Sequence, residues 1–290
     1  MNEPSLISQD ALSGRRIALS VSESLDLARL GLTEQHCRLV VAEVGRAIML
    51  AGGTVMYGGD LRSGGYTEIL IEEAQRFGGG MPVLEVTLAE SVYRKLDGET
   101  LIAADRNLGG VGRLILVSES GYLVPTSDPL TEAPSPDAAV ALTAMRGYVA
   151  RTSAARLIVG GRLSGYSGAE PGVIEEARLT IHAGRPLLAA GGYGGAAAAV
   201  AQRLRPQDFR SWVPDDYPCH AHDPEVARAL DELSDANARA GANDMFDEEL
   251  LHLLTISHRP ADIARATVRL LSGLVTETDE QGDYCPPFGD

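Results

Sequence analysis

Three cysteines, Cys37, Cys219 and Cys285, are all that 290 residues contain. Their number is odd and they show no CxxC or Cys/His ligand spacing, which argues against a disulfide framework and a zinc site and fits a reducing compartment. Positive charge is also scarce: 25 Lys and Arg stand against 40 Asp and Glu, a formal net charge of -15. Phosphate backbones are held by clustered cations, so this balance argues against a nucleic-acid partner. A small anionic ligand is still allowed, because a few backbone amides and one or two arginines make a local positive site in an acidic chain. No apolar run reaches the ~18 residues that span a bilayer, and MNEPSLISQD lacks both a basic and an apolar segment. No membrane partner and no export signal are expected, and the chain is placed in the cytoplasm.

What the sequence has in quantity is glycine, 32 residues, much of it just after apolar runs. Residues 15–24, RRIALSVSES, read as a first parallel strand ending in Ser20, Ser22 and Glu23. Thr33 is a candidate N-cap for a helix through Met49, with Val40, Val41, Val44 and Ile48 at helical spacing and Gly52-Gly53 as its stop. A strand, a glycine turn and a helix follow in TVMYGGDLRSGGYTEILIEEA, then a third strand within residues 81–91, a polar segment with Arg94, Lys95 and Arg106, and a fourth strand at 114–120. Residues 121–136 read as a surface loop, and Asp137 opens a helix to about Thr152.

The stretch LIVGGRLSGYSGAEPGVIEEA, Leu157 to Ala177, is the one around which the rest is organised. An apolar strand stops at Gly160-Gly161, and after a Ser/Gly turn a helix begins at Pro171, where free N–H groups and the positive dipole end attract anions. RPLLAAGGYGGAAAAVAQRL repeats the strand, glycine turn and helix with Gly191, Gly192, Tyr193, Gly194 and Gly195. Tyr57 to Ala74 also echoes Val159 to Ala177: Gly-Gly, a Ser/Gly turn, an acidic residue, then Ile-Glu-Glu-Ala. Half-domain duplication and convergent turn chemistry both account for that echo.

Alternating strands and helices predict an α/β fold, a Rossmann-like parallel sheet with helices on both faces, plus a helical C-terminal extension. The expected division is a flexible N-terminus over 1–14, a nucleotide-binding domain over 15–205, helices packed on it over 206–275 and a disordered acidic tail over 276–290. Ligands of such sheets bind beyond the carboxyl ends of the strands, where every glycine turn would lie.

GGRLSGYSGAEPGVIEEARLTIHAGRPLLAAGGYGGAA resembles the SLOG superfamily, the Rossmann-like group named for its SMF/DprA and LOG relatives, and within it the conflict-system branch. The resemblance covers residues 15 to about 205. In LOG enzymes the corresponding motif is PGGxGTxxE, whose glycines cradle a nucleotide phosphate. Here Val159 replaces the proline, the turn before Glu175 is longer and Ser167-Gly168 stands for Gly-Thr. The resemblance implies that Gly160, Gly161, Gly168 and Gly172 approach phosphate and that Glu175 or Glu176 takes the place of the motif glutamate. It also implies sensing of a nucleotide-derived signal of the ADP-ribose or NAD-derived class in bacterial antiviral defence, with a homo-oligomer or a separate effector protein as partner.

The ligand-binding residues expected on these grounds are Ser20, Ser22, Gly58, Gly59, Arg62, Gly64, Gly65, Gly160, Gly161, Arg162, Ser164, Ser167, Gly168, Gly172, Glu176 and the run Gly191 to Gly195. Arg62 and Arg162 either pair with phosphate or form surface pairs with Asp60 or Glu170. Glu175 and Glu176 point about 100° apart on a helix, so one would read a ribose or act catalytically and the other would be solvated. Tyr193 either stacks on a base or packs over its turn. CHAH at 219–222 reads as a loop; no metal and no resident cofactor are expected. The main reading is a binding or sensing module. The alternatives are a phosphoribohydrolase-type N-glycoside hydrolase using Glu175 or Glu176, and an interaction scaffold with a vestigial site.

Overall fold

The computed structural model describes residues 7–59, 61–127, 136–209, 217–240 and 246–274. Seven strands form one sheet in the order β5-β4-β3-β2-β1-β6-β7. They are β1 (Arg16–Ser22), β2 (Thr54–Gly58), β3 (Leu84–Ala89), β4 (Gly112–Val117), β5 (Leu123–Val124), β6 (Ala155–Gly160) and β7 (Leu187–Ala190). All pairings are parallel except the two-residue edge strand β5 on β4. The Rossmann-like α/β architecture expected from the sequence is therefore present, with β1 between β2 and β6.

Ten helices cover the sheet among the described residues. They are α1 (Glu34–Leu50), α2 (Tyr66–Phe77), α3 (Glu90–Tyr93), α4 (Gly98–Leu108), α5 (Ala138–Thr152), α6 (Gly172–His182), α7 (Gly195–Leu204), α8 (Pro224–Ala240), α9 (Glu248–Ile256) and α10 (Pro260–Ser272). Strand alternation divides the core. Ile17, Leu19 and Val21 of β1 face α1, α2, α4 and α10, whereas Ala18 and Met56 face α5 and Ile158 faces α6 and α7. α8 packs on α6, and α9 bridges to β7.

The helix starts follow from local chemistry. Asp137 accepts from Ala139 and Val140 N–H at the head of α5, and Asp247 accepts from Leu250 N–H at the head of α9. At Thr33 the backbone N–H donates to His36 Nδ1 at 3.0 Å, one half of a capping arrangement.

Several details differ from the sequence expectation. The strand sought within 81–91 ends at Ala89, where Glu90 starts a helical turn and its buried carboxylate accepts from Glu119 N–H at 2.8 Å. The polar segment around Arg106 holds α4, whose Asp97 cap accepts from Thr100 N–H. The loop after 120 contains β5. Residues 7–14, expected to be flexible, are tied down by Leu12, which is fully buried and donates its N–H to Ala51 O. The helical pattern over 246–274 breaks at Ser257, because Pro260 suits only the start of a new helix. Leu251 and Leu254 are buried within the chain. Trp212 and the 276–290 tail lie outside the described residues, as does Asp60. Among the described residues no helix is long and apolar enough to cross a membrane.

Burial raises the pKa of Cys37 to about 11 and of Tyr93 to about 12, and holds Tyr193 and Tyr217 well above the ordinary tyrosine range. Above about pH 9 the unfolded chain releases these protons while the folded chain keeps them, so stability must fall as pH rises, by about 1.4 kcal/mol per unit for each group. Urea unfolding at pH 8 and pH 10.5 checks this: the midpoint is expected to drop sharply, and an unchanged midpoint would refute it.

Candidate functional site

The strand order reverses its direction of growth between β1 and β6, and a cleft opens at the carboxyl ends beside that seam. Its volume is about 610 Å³. Crossing the sheet from β3 to β6, it is lined by Val92 of α3, by Tyr57, Gly58 and Gly59 at the end of β2, by Ser20 to Glu23 at the end of β1, and by Arg162 and Gly165 to Ser167 of the β6–α6 loop. Leu142, Met145 and Arg146 of α5 and Gly172, Val173 and Glu176 of α6 form one wall, and Arg62 and Tyr66 stand at the opposite one.

A charge network forms the floor. Arg156 of β6 is 3% exposed and donates to Ser20 Oγ at 2.6 Å, Thr180 Oγ1 at 2.7 Å and Glu176 Oε2 at 3.0 Å. Its burial lowers its pKa below the usual arginine value, with Glu176 opposing that effect. Arg146 donates to Glu175, lies 3.4 Å from Glu176 Oε1, and is joined on Glu175 by the Thr143 hydroxyl. The two carboxylates of α6 are thus shared by two arginines, one from the sheet and one from α5. Neither glutamate is solvated, contrary to the expectation for one of them: Glu175 is 2% exposed and structural, and Glu176 alone lines the cleft.

Gly172 has a steric reason to be glycine. A Cβ there would collide with the Arg146 guanidinium, so its absence lets α6 begin directly over that cation. As at any helix start, the first N–H groups of α6 lack carbonyl partners within the helix, and Gly172 and Val173 both line the cleft. Around the cleft three arginines, Arg62, Arg146 and Arg162, face two glutamates, Glu23 and Glu176, a local reversal of the acidic balance of the chain. Glu170, one suggested partner of Arg162, instead pairs with Arg178. The arrangement offers an anion the start of a helix, hydroxyls of Ser20, Ser22 and Ser167, and exposed guanidinium.

Of the residues singled out from sequence, Ser20, Ser22, Gly58, Gly59, Arg62, Arg162, Ser167, Gly172 and Glu176 come together in this cleft. Gly64, Gly65, Gly160, Gly161, Ser164 and Gly168 shape the adjoining turns without lining it. Gly168 packs on the Arg146 guanidinium, and Gly161 receives the α7 N-terminus. Gly191 to Gly195 stand apart and need correction. Tyr193 is fully buried, with its hydroxyl donating to His258 O at 3.1 Å, so no face of the ring is open for stacking. Gly191 and Gly192 lie against Thr255 and Ser257 of the α9 end. At Gly195 the helix start is already occupied: Asp26 Oδ2 accepts from Gly195 N–H at 2.8 Å, and its Oδ1 accepts from Cys219 N–H at 3.0 Å. The chain supplies its own anion where a phosphate was expected.

Arg146, Tyr57, Tyr66 and Tyr166 are lining residues that the sequence reading missed. A signal for Arg146 was available in the internal echo. Arg46 of α1 bonds Glu73 of α2 at 2.8 Å, and Arg146 of α5 holds the glutamates of α6 in the equivalent way. Each arginine lies on the helix before a glycine-ended strand, and each glutamate on the helix after it.

A doubly wound sheet with a polar cleft at its switch point defines a ligand-binding α/β domain of the nucleotide-handling kind. More narrowly, the chain belongs to the SLOG cluster2 family, whose model matches residues 11–251. That match runs past the expected boundary at 205 and takes in α8 and the start of α9. Membership points to binding or processing of a nucleotide-related ligand. No curated protein and no solved structure matches the chain.

Asp26 joins the β1 end, α7 and the Cys219 loop through one buried and one part-buried bond, so Asp26→Ala would strand two N–H donors. Loss of about 2–3 kcal/mol is expected in chemical denaturation, and a change below 0.5 would contradict the capping role assigned to it.

Proposed function

We propose that this protein binds a nucleotide-derived small molecule at the carboxyl edge of its sheet and acts as a sensor of it. One observation carries this reading: the turns after β2 and β6 open into a single cleft that has Arg62 on one wall and Arg146 and Arg162 on the side of the α6 start. Phosphate meets the helix start and Arg162, and Glu176, fixed by two arginines, accepts from a ribose hydroxyl. The ADP-ribose or NAD-derived class, a role in bacterial antiviral defence, a cytoplasmic setting and a homo-oligomer or effector partner rest on the superfamily resemblance. No resident cofactor is needed for this activity.

The contacts behind the cleft suit signalling. Ser22 and Glu23 line it, while two residues on Ser24 Oγ donates to Tyr193 O at 2.9 Å and Tyr193 reaches His258 between α9 and α10. Tyr166, also lining the cleft, donates to Glu225 of α8 at 2.5 Å. A ligand that moves either the β1 end or the 162–171 loop therefore acts on the C-terminal helices, an expected route for output.

A hydrolase is the second reading, favoured by the Glu176 carboxylate standing in the cleft beside Arg146. Thermal shift against AMP, ADP-ribose, cyclic ADP-ribose, NAD and nucleoside monophosphates, with base release followed by chromatography, separates the two. A stabilised protein without free base supports the sensor; free base that disappears in Glu176→Gln with binding retained supports the hydrolase. Ligand at 100 times its Kd should add about 2.7 kcal/mol of stability. Arg162→Ala is expected to weaken the ligand about tenfold or more with the unliganded melting temperature unchanged. Equal affinity in wild type and variant would remove Arg162 from the site.

A further inference from the structure

The cleft is chemically asymmetric along its length. At the α6 end Arg146, Arg162, Ser167 and Glu176 line it, whereas over β2 and β3 the α5 side is lined by Val92, Leu142 and Met145, with Tyr57 at the strand end and Arg62 and Tyr66 across the cleft. Val92, Leu142 and Met145 belong to one apolar cluster that continues beneath the sheet edge into Ala18, Met56 and Ala89. Met145 is held in place by the end of β2: a Cβ at Gly58 would meet its Sδ at 3.1 Å, so the thioether lies directly over that glycine. Val92 and Leu142 are half-buried, leaving apolar surface open to the cleft.

Strand spacing converts this asymmetry into a length. From β3 through β2 and β1 to β6 are three steps of the sheet, on the order of 14 Å at the usual separation of parallel strands. A ligand whose phosphate rests at the start of α6 has its far end over β2 and β3. A phosphate laid against Val92, Leu142 and Met145 would meet no hydrogen-bond donor on that side. A flat heterocycle gains from the same surface, because its faces are apolar and a thioether makes favourable contact with an aromatic ring.

We infer that Val92, Leu142 and Met145 form the base recess of the site, setting preference for ligands that carry a planar heterocyclic base at the end remote from the phosphate held at α6. This rests on the nucleotide reading of the cleft. It moves base recognition away from the GGYGG turn, where Tyr193 is buried, to the opposite end of the sheet.

The test compares AMP and ADP-ribose with ribose 5-phosphate, which keeps the sugar and phosphate and lacks the base, by calorimetry on the full chain. Wild type is expected to bind at least one of the base-bearing probes about tenfold or more tighter than ribose 5-phosphate. Leu142→Gln, polar but uncharged, should bring that probe toward the ribose 5-phosphate level while leaving ribose 5-phosphate within about twofold. Leu142→Ala, which removes bulk without adding polarity, should produce a smaller loss in the same direction and guards against misfolding of the glutamine variant. Base-bearing probes that bind no tighter than ribose 5-phosphate, or variants that weaken all probes equally, would overturn the recess while leaving the phosphate site in place. Silence with every probe would overturn the nucleotide reading and the recess together.

Discussion

Arg156 has almost no solvent, and the site is arranged around that fact. A guanidinium taken out of water must find acceptors, and this one takes its acceptors from two elements: Ser20 on the neighbouring strand, and Thr180 and Glu176 on the helix above. Those bonds fix the β1–β6 seam and the rotation of α6 at once. With α6 so oriented, Glu175 points to α5 and is met by Arg146 and Thr143, and Gly172 comes to rest over Arg146. The cleft floor is thus a chain of alternating charges, each held by the previous one. Such a network specifies geometry more than it stabilises, since the desolvation of each ion offsets much of the attraction.

The same logic, an ion supplied from inside the chain, distinguishes the two glycine-rich helix starts. At α7 the N-terminus receives Asp26 and is closed by the α9 end; at α6 the nearby carboxylates are turned toward arginines, and Gly172 and Val173, the first residues of the helix, line the cleft. Two sequence segments with the same strand, glycine and helix pattern therefore differ in what they offer a ligand. Pattern alone does not decide between them. The difference lies in residues distant in sequence, Asp26 in one case and Arg146 in the other.

This explains how much of the molecule was legible beforehand. The sheet was, because apolar runs ending in glycine mark parallel strands whatever their partners, and six of the seven strands overlap segments read as strands, β4 and β6 beginning two residues earlier than read. β5 was not, since two residues among Ser, Thr and Pro carry no period. Within the cleft, glycines and serines following β1, β2 and β6 were legible from position along the strand. Arg146, Tyr166 and Leu142 were not, because they reach the cleft from a helix and a loop whose approach depends on how α5 and α6 pack. Tyr193 shows the converse error: an aromatic between glycines suggests exposure, but the burial that α9 and α10 impose is a tertiary fact.

The internal echo links these observations. In α1–β2–α2 the arginine–glutamate pair, Arg46 with Glu73, lies against Phe77, whose ring centre is 5.1 Å from the guanidinium carbon. In α5–β6–α6 the corresponding pair is joined by a second arginine from the strand and a second glutamate, and it lies at the base of the cleft. An arrangement that in one half joins two helices forms in the other a charged floor beneath the cleft. The difference in the sheet is that β6 carries a long cation where β2 carries Met56, since Arg156 pairs with Ala18 on one side of β1 and Met56 pairs with the same residue on the other. On that account the polar end of the cleft and its apolar end are two versions of one position, occupied by Arg156 on one flank of β1 and by Met56 beneath Met145 on the other.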